Sequence, residues 1–363
     1  MYRLVLAFVV FGTVAAAQTP AADFSGVHAF WRLVDILQMP GEPTANAWDD
    51  LFATPGYAAL EAREGRRASI QLAMQAAFAP SNRRLRDSLL AANGWTARVI
   101  RHLETLPPRR AVLDTFADRM RHDDVVSRAA ARAQTLLPAG TVARYGKPAV
   151  AFVFFLPDGR GYPGVIVADL ANVMSKADPE QFFAHEATHF YWAQLSRARR
   201  AGGDTATTRG ARSLESLLMK IAEEAAGDQF DKSAAADAGD AMLARISPDT
   251  AFRRYLAEYR DEVRRAPDEL RRLDAMLARI ASDTSRMQTL ADSTSRALPL
   301  EGRPVGMYMA RAIRAQLGDS AFAAIAGDAV GFFRAYQQAA TRAGCGCIPF
   351  SPTALRGIDL VRH

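Results

Sequence analysis

The sequence predicts a mainly α fold with one small β-sheet or hairpin placed directly before a buried helix that carries a His-Glu-x-x-His motif. Three observations predict it. Apolar residues recur at helical spacing along most of the chain, as at Phe30, Leu33, Val34 and Leu37. A continuous β-rich apolar run from Ala149 to Leu156 is followed, after turn signals at Pro157 to Gly161, by a second run from Val165 to Leu170. His185-Glu186-Ala187-Thr188-His189 then lies inside a segment bounded by helix start and stop signals.

Taken in order, residues 1–17 read as a signal peptide. Arg3 is the positive n-region, Leu4 to Val14 the apolar h-region and Ala15-Ala16-Ala17 the cleavage site, so the mature chain is expected to begin at Gln18. The expectation is export to the periplasm or beyond the cell. No cysteine stands immediately after the cleavage site, so no lipid or other stable membrane anchor is expected after cleavage. With 49% hydrophobic and 23% charged residues the rest has the composition of a soluble globular protein. The net charge of +6 comes from arginines dispersed near acids, which reads as a solvated surface and excludes nucleic acid as the expected partner.

Residues 18–145 read as an N-terminal helical lobe. Pro40-Gly41 stops its first helix and Thr54-Pro55 opens another, with further segments near Ile70–Phe78, Leu85–Ala92, Ala97–Thr105, Ala111–Arg121 and Val125–Leu137. His28, His102 and His122 are isolated and read as packing or surface residues. At Pro148 the composition changes, and residues 146–343 read as the catalytic region.

In that region Asp178-Pro179-Glu180 begins a helix with an N-cap aspartate and a proline at its first position. Arg197, Arg199 and Arg200 suit its last turn and Gly202-Gly203 its end, so it is expected from about Pro179 to Arg200. Phe182, Phe183, Phe190, Tyr191, Trp192 and Leu195 leave it almost no solvated face. On such a helix His185 and His189 sit one turn apart on one side, and burying both beside Glu186 is costly unless a cation pairs them. This spacing is that of a zinc site with a glutamate as general base.

A third protein ligand is needed. The metzincin spacing would put a histidine at Leu195, so that pattern fails. The segment Leu214 to Asp228 is an amphipathic helix with Leu214, Leu217, Leu218, Ile221 and Ala225 on its apolar face. Helical geometry puts Glu224 and Asp228 toward that face, whereas Glu223 is expected to point away, near Lys220. The expectation is that His185, His189 and Glu224 hold the metal, and that Asp228 accepts the free ring N–H of a ligand histidine.

His185-Glu186-x-x-His189 followed by Glu224-x-x-x-Asp228 resembles the gluzincin metallopeptidases. More closely, it is similar to a bacterial domain of unknown function described as a zinc-dependent peptidase. The likeness covers most of the mature chain, with the zinc motif its one individually specific element. Gly306 to Ile313 and Phe332 to Tyr336 are similar to the C-terminal helices of that group. The resemblance implies a gluzincin-like architecture, one zinc ion, and a peptide or protein substrate; the sheet before the zinc helix either offers an edge strand that holds an extended peptide or only supports the helix, and which strand is the edge is not readable from the sequence. It also implies a tyrosine near residue 308, so Tyr308 is the expected catalytic oxyanion donor, with Arg303 the alternative and Tyr255 and Tyr259 behind it.

Two further amphipathic helices are expected over Phe252–Val263 and Leu270–Ile280, broken near Pro267, and Ser282–Ser295 reads as a weak helix or a mobile segment. Residues 344–363 read as a tail in which Cys345 and Cys347 form a local disulfide or remain free thiols without a catalytic role. The functional expectation is an exported zinc metallopeptidase with Glu186 as base. A zinc hydrolase of a non-peptide amide or ester, and a non-catalytic protein retaining the same helices, are its competitors. Glu186 argues against the last, because no structural zinc site requires it. Cleavage specificity, endo- or exo-action and oligomeric state are not readable.

Overall fold

The computed structural model describes residues 22–41, 43–201, 208–246 and 250–362; the expected signal peptide lies outside them. The fold is mainly helical with one four-stranded sheet. Its strands β1 (Ala22–Asp23), β2 (Ala149–Val153), β3 (Gly159–Tyr162) and β4 (Val165–Asp169) lie in the order β1-β2-β4-β3. β2 is parallel to both β1 and β4, and β3 is an antiparallel edge strand with Gly161 opposite Ile166 of β4. The two apolar runs are therefore parallel neighbours, and the glycine-rich stretch expected as a turn is itself partly a strand. β2 and β4 are apolar on both faces because helices cover both.

The helices that frame this sheet and the site are α1 (Ser25–Leu37), α2 (Pro55–Glu64), α3 (Trp95–Leu103), α4 (Pro179–Ala201), α5 (Arg209–Asp231), α6 (Thr250–Ser282), α7 (Arg303–Leu317), α8 (Ala329–Ala340) and α9 (Pro352–Asp359). No break in packing marks the expected lobe boundary near residue 145. Phe24 stacks on Phe152 at 4.6 Å, Phe152 meets Phe183 of α4 at 6.0 Å, and one core extends from Phe24 to Val361. His102 is not isolated either: its Nε2 lies 2.8 Å from Asp169 Oδ2, and that buried carboxylate also accepts the backbone N–H groups of Phe155 and Asn172.

Pro267 does not divide α6, which runs unbroken through it. A proline inside a helix costs about 3 kcal/mol, but Val263, Ala266, Leu270, Leu273 and Leu277 form one continuous buried stripe across it, and that packing outweighs the missing hydrogen bond. The C-terminal residues are likewise part of the fold, since α9 packs on α6 and Cys345 and Cys347 form a disulfide. Of the stretch expected to be weakly helical, Met287–Ala297 is a helix that buries Met287, Leu290 and Ala291 against α5. Among the described residues no helix is long and apolar enough to cross a membrane.

Candidate metal centre

α4 starts where its sequence signals place it: Asp178 Oδ1 accepts the backbone N–H of Glu180 at 2.9 Å. Its His185 is 3% exposed and its Glu186 5% exposed, so both are carried into the core beside Phe182, Phe183 and Phe190. α5 is capped by Thr208, which accepts from Ala211 N, and packs along α4. This pairing brings three donors together. His185 Nε2 and His189 Nε2 are 3.0 Å apart, and Glu224 Oε2 lies 3.7 Å from each.

The outer ring nitrogens explain why those atoms converge. His189 Nδ1 is 3.0 Å from Glu223 Oε1, and His185 Nδ1 is 3.1 Å from Asp231 Oδ1 and 3.4 Å from Asp228 Oδ1. A carboxylate beside each Nδ1 fixes the tautomer that donates there, leaving the lone pair on each Nε2. Glu223 therefore does not point to solvent as expected. The ring of His189 reaches across α5 and engages Glu223 through one nitrogen while the other faces Glu224.

Asp228 is near His185, but Asp231 is nearer. Asp228 is held from behind, accepting from the Tyr259 hydroxyl at 2.8 Å and pairing with Lys232 Nζ at 2.7 Å. Lys232 also bonds both oxygens of Asp231. Asp231 escaped the sequence reading, although its spacing from Glu224 and Asp228, seven and three residues, puts all three on one helical face. Gly227 completes the fit, since a Cβ there would stand 2.9 Å from the His185 ring.

The residues present fit a divalent cation. Two nitrogen lone pairs 3.0 Å apart repel unless a cation lies between them. Glu224 Oε2 is buried and, although Arg303 Nη2 lies 2.9 Å away, makes no hydrogen bond of good geometry with a described residue; it faces the same point. The electrostatics agree. Burial opposes a charge on His189, yet Glu224, Glu223 and Glu186 lift its pKa to about 10, so the surroundings favour positive charge at this point. Burial also opposes ionisation of Glu224, but Arg303, then His189 and His185, hold it at about 2, so it offers a carboxylate. A second cluster, His185 Nδ1 with Asp228 and Asp231, is already served by the Lys232 ammonium. Because outer carboxylates orient the ligands, Glu223→Gln and Asp231→Asn are each expected to weaken zinc binding roughly tenfold to a hundredfold, as read by chelator competition.

β3 lies directly on this part of α4. A Cβ at Gly159 would stand 2.6 Å from Glu186 Oε1, and one at Gly161 would stand 2.5 Å from His189 Cβ and 2.6 Å from Glu186 O. Only glycine permits that approach, and the side chains of Arg160 and Tyr162 consequently leave by the other face, where both bond Glu64. Glu186 accepts no hydrogen bond from a described residue, and burial raises its pKa against the pull of the two imidazoles. Gly161→Ala is expected to cost about 2 kcal/mol through overpacking and to displace Glu186, lowering the melting temperature and any zinc-dependent activity together.

The site is the floor of a cleft of about 800 Å³. Arg303 reaches it from the start of α7 after three consecutive left-handed residues, Leu300, Glu301 and Gly302. That conformation costs about 1–2 kcal/mol at each non-glycine position, and it aims the guanidinium so that one Nη lies 2.9 Å from Glu224. Tyr255 lines the cleft close to Arg303 and Lys232. Tyr308, the expected oxyanion donor, does not: it packs toward Tyr336 of α8 at 6.4 Å between ring centres, on a face of α7 turned from the cleft. A tyrosine at helical spacing has served the core there instead.

A family model described as "Putative zinc dependent peptidase (DUF5700)" matches residues 48–344. The chain belongs to this family. No curated protein and no solved structure matches it. The family is described as zinc dependent, and the His185, His189 and Glu224 donor set fits that ion. The matched span includes every residue of the centre and the whole sheet apart from β1.

Proposed function

We propose that this chain is an exported zinc metallopeptidase in which His185, His189 and Glu224 hold the ion and Glu186 is the general base. The observation that carries the reading is the convergence of three donors beside a buried glutamate that accepts no hydrogen bond from a described residue. Zinc in that position supplies Lewis acidity toward a carbonyl and acidifies a water molecule. Glu186 takes a proton from the attacking water and returns it to the leaving nitrogen. β3, as the edge strand beside the site, holds an extended peptide through main-chain hydrogen bonds.

Arg303 and Tyr255 replace Tyr308 as the donors for the oxyanion that develops on the scissile carbonyl. Asp231, assisted by Asp228, orients His185, and Glu223 orients His189. The Cys345–Cys347 disulfide supports export, because such bonds persist in oxidising compartments.

The test is metal analysis of the purified mature protein, followed by incubation with a complex peptide mixture read by mass spectrometry. About one zinc per chain and chelator-sensitive cleavage are expected. A protein that stays free of zinc after reconstitution removes the reading. Zinc with turnover of esters or non-peptide amides alone would move it to the competing class of hydrolase.

A further inference from the structure

On the wall of the cleft beyond β3, Glu64 at the end of α2 is saturated by three donors: Arg66 Nε at 2.9 Å, Arg160 Nε at 2.9 Å and the Tyr162 hydroxyl at 2.5 Å. One of these bonds positions Arg66, whose guanidinium lies over the Trp95 ring with Cζ 4.5 Å from the centroid. Glu64 uses only the Nε side of Arg66. The two terminal Nη groups, the fork that matches a carboxylate end-on, have no partner among the described residues. One turn further along α3 from Trp95, Arg98 is exposed, lines the same cleft and forms no ion pair with a described residue. Three guanidinium groups thus share this wall with two carboxylates, Glu64 and Asp158.

We propose that Arg66, Arg98 and Trp95 form a subsite for an acidic side chain of the substrate. The proposal rests on the peptidase reading and specifies its substrate class. A peptide laid along β3 points alternate side chains to opposite faces. One set faces the metal floor beneath Gly159 and Gly161. The other set faces the side to which Arg160 and Tyr162 project, which is the wall of Arg66, Trp95 and Arg98. An acidic residue at one of these alternate positions near the scissile bond meets a guanidinium already positioned by Glu64 and Trp95, which reduces the side-chain entropy lost on binding.

The experiment uses the full mature, zinc-loaded protein carrying Glu186→Gln to silence turnover. Blocked dodecapeptides differing only in Glu, Gln or Lys at alternate positions are bound to it and followed by calorimetry. Binding of the best Glu peptide is expected to be about tenfold tighter than that of its Gln counterpart, a charge-assisted pair in a partly solvated cleft. The preference should shrink with added salt and vanish in Arg66→Gln/Arg98→Gln, whose zinc content and circular dichroism verify the fold. Arg98→Gln alone, at an exposed position, is expected to lose part of it. Equal binding of Glu and Gln peptides, or a preference that survives the double variant, overturns the subsite. Cleavage mapping on the active protein separates the two claims. Cleavage without acidic enrichment removes the subsite and leaves the peptidase. Arginine-dependent acidic binding without any cleavage retains the subsite and removes the peptidase.

Discussion

Glu186→Gln is expected to leave about one zinc per chain and to lower peptide hydrolysis by about 10²–10⁴-fold, the contribution typical of a positioned acid–base group. The substitution suits the site. Glutamine keeps the volume that fits between Phe182 and the Cα of Gly159, so the helix and its two histidines are not disturbed. What it removes is the ability to accept a proton. Glu186 is buried and its pKa is raised by that burial, which brings it closer to the value at which a base both accepts and returns a proton near neutral pH. Measured zinc content alongside initial rates decides the point. A variant with full zinc and near wild-type turnover would assign the proton transfer to another group.

Glu224→Ala is expected to lower zinc affinity by roughly 10²–10³-fold, about a quarter of the binding free energy typical of a protein zinc site. Glu223→Gln, one residue away, should lose less, because it removes only the acceptor for His189 Nδ1. The pair of variants therefore distinguishes a ligand from an orienting carboxylate on adjacent positions of one helix. Glu224→Ala has a second consequence that is independent of metal. Arg303 loses the carboxylate 2.9 Å from its Nη2 and is left as a largely buried cation. In chelator the variant should melt below the wild type by an amount equivalent to about 1–3 kcal/mol, less than for a fully buried pair because 23% of the arginine side chain is exposed. A melting temperature unchanged in chelator would show that Arg303 relaxes into the cleft without cost.

Both experiments concern residues that short-range rules reach. The zinc helix was legible because every signal for it is local: the Asp178 cap, Pro179, the four-residue spacing of the histidines and the terminal arginines. Glu224 was legible from helical periodicity, since the apolar stripe of α5 determines which residues face inward. The small sheet before the helix was legible from its β-branched and aromatic runs. By itself, then, the sequence determined the element types, the three converging donors and the buried glutamate beside them.

Tertiary structure decided the rest, and the physical reason is the same each time. Whether Glu223 or solvent meets His189 depends on where α5 crosses α4, a distance between helices that no periodicity encodes. Asp231 competes with Asp228 for His185 through that same crossing. Gly159 and Gly161 read as turn residues because glycine is permissive, but here the missing Cβ serves a close contact with α4. Pro267 reads as a break because its local cost is known, and only the stripe buried against α9 and neighbouring helices outweighs it. Tyr308 and Arg303 stand five residues apart on α7, so choosing which reaches the cleft requires the rotation of that helix, set by the left-handed turn at Leu300–Gly302 and by packing on α5 and α8. Local chemistry is written along the chain, whereas the pairing of one element's face with another's is a property of the packed whole.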